Sequence, residues 1–175
     1  MHLTLRHDLR LLSCLAAIAV VAACARDAEA AQRGRLAAWF ALGETVEFAA
    51  TMQCAVGLYR VTDGRIKAAM PVVGSASEMA RTLAARGQAA WIAQGLAPDA
   101  AMVAMANFDR PIGMAMRRAG LEARACMEAT SESAFHHILG QPGAVMAWEA
   151  HVGALMLMDP ATGLLIVAKT VSYQS

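Results

Sequence analysis

The sequence predicts an α+β fold: a small antiparallel sheet, built from an N-terminal Asp-Gly hairpin and a C-terminal hairpin, with several helices packed on it. Three observations predict it. Residues 154–158 and 164–168 are continuous apolar runs around Asp159-Pro160-Ala161-Thr162-Gly163. That segment places Asp, Pro and Gly where a type I turn followed by a positive-φ residue needs them. Asp63-Gly64 follows the alternating run that ends at Val61, and Asp-Gly is a strong hairpin-turn signal. Ser75-Ala76-Ser77-Glu78 is a capping box opening a helical pattern.

The elements follow in order. Residues 36–42 suit a first helix stopped by Gly43. Residues 46–61 fit two templates: Phe48, Ala50, Met52, Cys54, Val56 and Leu58 alternate as in a strand, while Phe48, Met52, Val56 and Tyr59 form a helical stripe. The Asp-Gly turn that follows favours strands on both sides, up to Val61 and from Arg65 to about Met70. The helix opened at Ser75 is expected to run to Gln94, with Met79, Leu83, Gly87 and Trp91 on one face and Gly95 ending it. Pro98 and Asp99 suit the first turn of the next helix, which ends near Phe108, where Pro111 and Gly113 break the pattern. Residues 121–127 alternate strictly and favour a short strand, with helix as the alternative over 121–128. Ser131 or Thr130 caps a helix to Leu139, closed by Gly140 with Pro142 beyond. Residues 145–149 suit another strand. The C-terminal runs are apolar enough for strands covered on both faces, near the centre of the sheet.

The first 23 residues read as a leader. Arg6 and Arg10 precede the apolar stretch LLSCLAAIAVVAA, which is short for a membrane span, and a small-residue exit follows, as in a secretory signal peptide. Val21-Ala22-Ala23-Cys24 resembles the bacterial lipobox. The resemblance implies cleavage before Cys24, acylation of that cysteine, and Ala25 at the position that favours outer-membrane over inner-membrane retention. Several acyl chains make such an anchor stable. Ala28-Glu29-Ala30 offers an alternative, ordinary cleavage after Ala30. The expected organisation is therefore a leader over 1–23, a small polar tether over 24–35, and one α+β domain over 36–175.

Composition narrows the function. The chain holds 15 basic and 14 acidic residues; without Arg6, Arg10 and Asp8, 13 of each remain, a net charge of zero. That balance carries no footprint for nucleic acid and no polybasic segment for anionic lipid. Hydrophobic residues reach 58% while aromatics are only 5%; alanine supplies much of the difference, which suits close helix packing. Cys54 and Cys126 remain after cleavage at either site, and an even pair in an oxidising compartment reads as a disulfide.

Candidate chemistry is sparse. On a helix starting early enough, Glu128, Glu132 and His136 fall at i, i+4 and i+8, a spacing that places two carboxylates and an imidazole on one face for a metal such as zinc. The competing reading is a solvated face with a histidine at the helix C-terminus. Met102 with Met105, Met114 with Met116 and Met156 with Met158 offer thioethers for Cu(I), or flexible core filling. No G-x-S-x-G motif occurs, and Cys126 paired with His136 or His137 would need a free thiol. No cofactor is implied. Arg117, Arg118 and Arg124, beside Arg110, form the best localised candidate for binding an anion or a partner's carboxylates. Together these features imply an exported, lipid-anchored module of the bacterial envelope, on the periplasmic side, that touches the membrane through Cys24 and an envelope protein through its surface. A periplasmic carrier of a small apolar ligand or metal is the alternative, and a small hydrolase the second.

Overall fold

The computed structural model describes residues 28–92 and 94–170; the leader and Cys24 lie outside them. Residues 28–36 are helical (α1). There follow β1 (Ala41–Ala50), β2 (Cys54–Asp63), β3 (Val72–Val73), α2 (Ala76–Arg86), β4 (Gln88–Trp91), α3 (Pro98–Phe108), α4 (Arg110–Ala123), a 3-10 turn (Arg124–Cys126), α5 (Ala129–Leu139), β5 (Val145–Glu149), β6 (Ala154–Asp159) and β7 (Leu164–Thr170). The strands make one seven-stranded sheet in the order β1-β2-β7-β6-β5-β4-β3. All neighbours are antiparallel except β3 and β4, which are parallel. The α+β class predicted from sequence is what the chain adopts, with a sheet larger than expected.

The C-terminal hairpin lies at the centre because its side chains are apolar on both faces. Leu155 and Leu157 of β6 and Ile166 and Ala168 of β7 join a core shared with α2–α5. Their neighbours Met156, Met158, Leu165 and Val167 join a second core on the opposite face, under Leu36, Trp39 and Phe40. Period-two alternation between two covered faces is what a buried strand requires. On the second face α1 is held by polar contacts: Gln32 donates to the Tyr59 hydroxyl at 3.2 Å, and Arg33 donates to Thr45 at 2.7 Å and to the Gly43 carbonyl at 2.8 Å.

Several expectations are corrected. The hairpin does not turn at Asp63-Gly64. The chain reverses at Thr51–Gln53, where the Thr51 hydroxyl accepts from the Gln53 and Cys54 amides. β2 then pairs with β1 on one side and β7 on the other, so nothing is left for residues 65–70 to pair with. The Asp63 carboxylate accepts from the Arg65 amide at 2.9 Å, and this local turn ends the strand. Residues 28–35 are helical instead of forming a tether, and 36–42 holds the end of that helix, a turn and the start of β1. The α2 helix stops at Gly87, whose φ of 73° is the left-handed cap and whose amide reaches the Leu83 carbonyl. Trp91 continues the helical spacing only by coincidence: it belongs to β4, where Ala89 and Trp91 are buried in the helical core and Ala90 in the core on the opposite face.

Pro111 opens α4 instead of breaking a helix. Asp109 caps it by accepting from the Ile112 amide at 3.2 Å, and Pro111 sits in the first turn, where its missing N–H is not needed. Residues 121–123 close that helix, and 124–126 form the 3-10 turn, so the expected strand is absent there. A strand would have buried Leu121, which is 65% exposed. The α5 helix is capped by Glu128, and the Ser131 hydroxyl at the third position accepts in return from the Glu128 amide at 3.0 Å; Ser131 is not the N-cap. Glu47 of β1 also accepts from the Ser131 hydroxyl and the Glu128 amide. This ties the edge strand to the helical layer. The expected Cys54–Cys126 disulfide is present beside it, with the Cα atoms 6.1 Å apart.

Candidate functional site

Helix α4 carries three of the four arginines in the sequence cluster, and its two sides differ in kind. Inward it is built from small residues and one methionine: Gly113, Met116, Ala119, Gly120 and Ala123 are buried. A Cβ on Gly113 would overlap the Ala106 backbone nitrogen and stand 2.7 Å from the Ala106 methyl, and one on Gly120 would stand 2.9 Å from Phe135 Cζ. The alanine- and glycine-rich composition is thus spent on close helix crossings, with α3 against α4 at one glycine and α5 against α4 at the other. Outward, Arg110, Met114, Arg117 and Leu121 are exposed. Their spacings of four, three and four residues place them within about 60° of one another on a 3.6-residue helix.

Grooves flank this stripe. On one side Asp99, Met102, Arg117, Gly120, Leu121, Arg124, Phe135, His136 and Leu139 line a shallow groove of about 130 Å³ between α3, α4 and α5. On the other, Arg118 lines a larger cleft of about 640 Å³ with Trp148, His151 and Lys169. The structure therefore brings Arg117 and Arg124 together and sends Arg118 elsewhere.

Within the first groove Arg124 donates to Glu132 at 2.7 Å, and His136 Nε2 lies 3.8 Å from the same carboxylate. The Arg124 hydrogen bond holds the Glu132 carboxyl below its ordinary pKa. Glu128 is turned onto the α5 N-terminus as its cap. Glu128, Glu132 and His136 thus do not assemble as a ligand set, and no group of three such side chains among the described residues is placed to hold a metal. The methionines are mostly core: Met102, Met105 and Met116 are buried in the helical core, Met156 and Met158 in the other. Met114 alone of the six is exposed. Cys126 is disulfide-bonded, so it supplies no thiolate to His136 or His137.

Sequence reasoning found the arginines and missed their apolar companions. Reading α4 as continuous through Pro111 would have placed Met114 and Leu121 among them. Lys169 and His151 were missed as residues of the larger cleft's lining, because which strand ends meet there depends on sheet order. No helix among the described residues is long and apolar enough to cross a membrane. The chain matches no protein-family model, no curated protein and no solved structure.

Proposed function

We propose that this chain is an exported accessory module of the bacterial cell envelope, anchored through lipid on Cys24, which binds a protein partner through the outer stripe of α4. The observation that carries the reading is that stripe: Met114 and Leu121 stand exposed at 41% and 65%, alternating along the helix with Arg110 and Arg117. Large apolar side chains bracketed by arginines are the composition of interface cores, where aromatics, Met and Arg are enriched. Glu122 pairs with Arg118 at 3.9 Å, and no ion pair among the described residues uses Arg110 or Arg117, which leaves both to meet a partner's carboxylates. The partner's matching surface is therefore acidic and apolar. A helix anchored by glycine crossings and a disulfide is a rigid platform, which lowers the ordering cost of binding.

Two features support export and processing at Cys24. A disulfide between residues 72 apart in sequence fits an oxidising compartment. Helix α1 already includes residues 28–30, and Glu29 accepts from the Thr45 hydroxyl at 2.7 Å. Cleavage after Ala30 would cut this contact away, whereas cleavage before Cys24 keeps residues 28–36 and the Glu29 contact together.

Intact mass of the native protein from membrane and soluble fractions tests the anchor. A membrane species starting at Cys24 and carrying acyl mass is expected; a soluble species starting at Ala31 overturns it. A photo-crosslinking residue at Leu121, used in cells, tests the surface. A discrete protein adduct is expected that disappears with Arg110→Glu and Arg117→Glu. An adduct pattern no different from that of a crosslinker at exposed Ala161 overturns the partner reading.

A further inference from the structure

The outer stripe of α4 repeats. Arg110, Met114, Arg117 and Leu121 follow one another at four, three and four residues, the alternation of seam positions where one helix packs along another. Two chemistries alternate within it, cation then apolar, twice over. At the rise of an α-helix the steps are about 6, 4.5 and 6 Å, and the stripe is about 17 Å long.

The shallow groove adjoins the C-terminal half of this stripe. Arg117 and Leu121 line it together with Met102, Phe135 and Leu139, and its volume of about 130 Å³ suits a single apolar side chain. Asp99 also lines it and repels an acid there, while Arg124 and His136 share the Glu132 carboxylate. The groove therefore favours an apolar group. Arg110 and Arg117, which no ion pair among the described residues uses, are the cations that favour an acid.

The backbone of the occupant is constrained as well. An extended segment needs partners for its N–H and C=O groups, and the outer face of a helix offers it only side chains. Its same-face residues recur at about 6.7 Å, so three steps cover about 20 Å and fall out of step with the stripe. A helix satisfies its own backbone and shares the stripe's repeat. On the reading of the α4 stripe as a protein-binding surface, we infer that the partner presents an acidic amphipathic helix laid along α4. Asp or Glu stands opposite Arg110 and Arg117, and leucine-sized residues stand opposite Met114 and Leu121, one of them seated in the groove. The alternation fixes the register, because a slip by one seam position sets acid against leucine and leucine against arginine.

The photo-crosslinking residue at Leu121, used in cells, tests this when the adduct is digested and the partner segment is sequenced by mass spectrometry. The expected segment carries an acid and a large apolar residue three or four positions apart. As a synthetic peptide it gains helical circular dichroism on binding the full-length processed protein. Alanine in place of the peptide's apolar anchor weakens binding by about tenfold or more, and Arg117→Glu does the same. Arginine in place of the peptide's acid restores binding to the Arg117→Glu protein, which a merely structural effect of the substitution would not allow. Arg86→Glu, at the end of α2, leaves binding unchanged. A peptide that fails to bind, binds without gaining helicity, or tolerates removal of its acids overturns the helix and leaves the partner reading standing. Absence of any discrete adduct overturns both.

Discussion

Tyr59 is fully buried on β2, its ring folded over Gly57, where a Cβ would stand 2.6 Å from the ring edge. Burial pushes its hydroxyl up to about 12, with the Gln32 hydrogen bond acting in the opposite direction. The folded state therefore holds this proton more tightly than the unfolded chain does. Its contribution is complete below the ordinary tyrosine value near 10 and is lost as pH rises from about 10 towards 12, by about 2–3 kcal/mol in all. The chain has two tyrosines, so Tyr173→Phe isolates the signal. A spectrophotometric titration of that variant should show tyrosinate appearing only well above the ordinary range, and denaturation midpoints should fall through the same window. Ionisation near 10 with no loss of folded signal would contradict the burial. Gly113 poses a second residue-scale test. The group its Cβ would strike is the Ala106 backbone and methyl, not the far end of a flexible side chain. Gly113→Ala should therefore cost about 1–3 kcal/mol by forcing α3 and α4 apart, read as a lower denaturant midpoint at unchanged slope. A midpoint equal to or above the parent's would show that the crossing yields easily.

Helix α4 shows at the scale of an element what the sequence made legible and what it hid. Asp109 and Pro111 together are a start signal, an acceptor at the cap and a proline in the first turn. Read after Phe108, the same proline passes for a terminator. Asp109→Ala should cost about 1 kcal/mol, measured by denaturation; a neutral result would mean that packing alone defines the helix start. The strand-like alternation at 121–127 misled for a related reason. Gly120 and Ala123 are small because α5 and the sheet press on them, and Leu121 is large because nothing among the described residues covers it. Local alternation carries no information about which neighbour is close. The same limit explains Asp63-Gly64, where local turn chemistry was read correctly but strand pairing was decided by β7, about a hundred residues away. The elements read correctly, β5, β6, β7 and α3, are those whose own composition suffices: continuous apolar runs around a turn, or a proline-led helix. Arg117 and Arg124 were found as a pair of charges, but their groove with Phe135 and His136 is a product of packing between helices.

At the scale of the molecule, the Cys54–Cys126 bridge joins the first residue of β2 to the turn after α4. The loop it closes contains β2, β3, α2, β4, α3 and α4, so the bond links the sheet to the helical layer. Glu47 makes a second link nearby, from β1 to the start of α5, and the Thr51 hydroxyl lies 3.4 Å from Cys126 Sγ. A closed loop of this size restricts the unfolded chain by about 4 kcal/mol on the entropy model. The Glu47 contacts and the core on the α1 face do not run through the bond, so its loss should lower stability without altering the fold. Cys54→Ser and the Cys54→Ser/Cys126→Ser pair should each lower the unfolding free energy by about 2–5 kcal/mol under non-reducing conditions. Reductant should bring the parent down to the same level and leave the double variant unchanged. That pattern would place the protein's stability in the hands of the compartment's redox state, in keeping with export. Equal midpoints for parent and double variant, with and without reductant, would mean that the bridge contributes no stability, and would leave the leader as the sole argument for an oxidising destination.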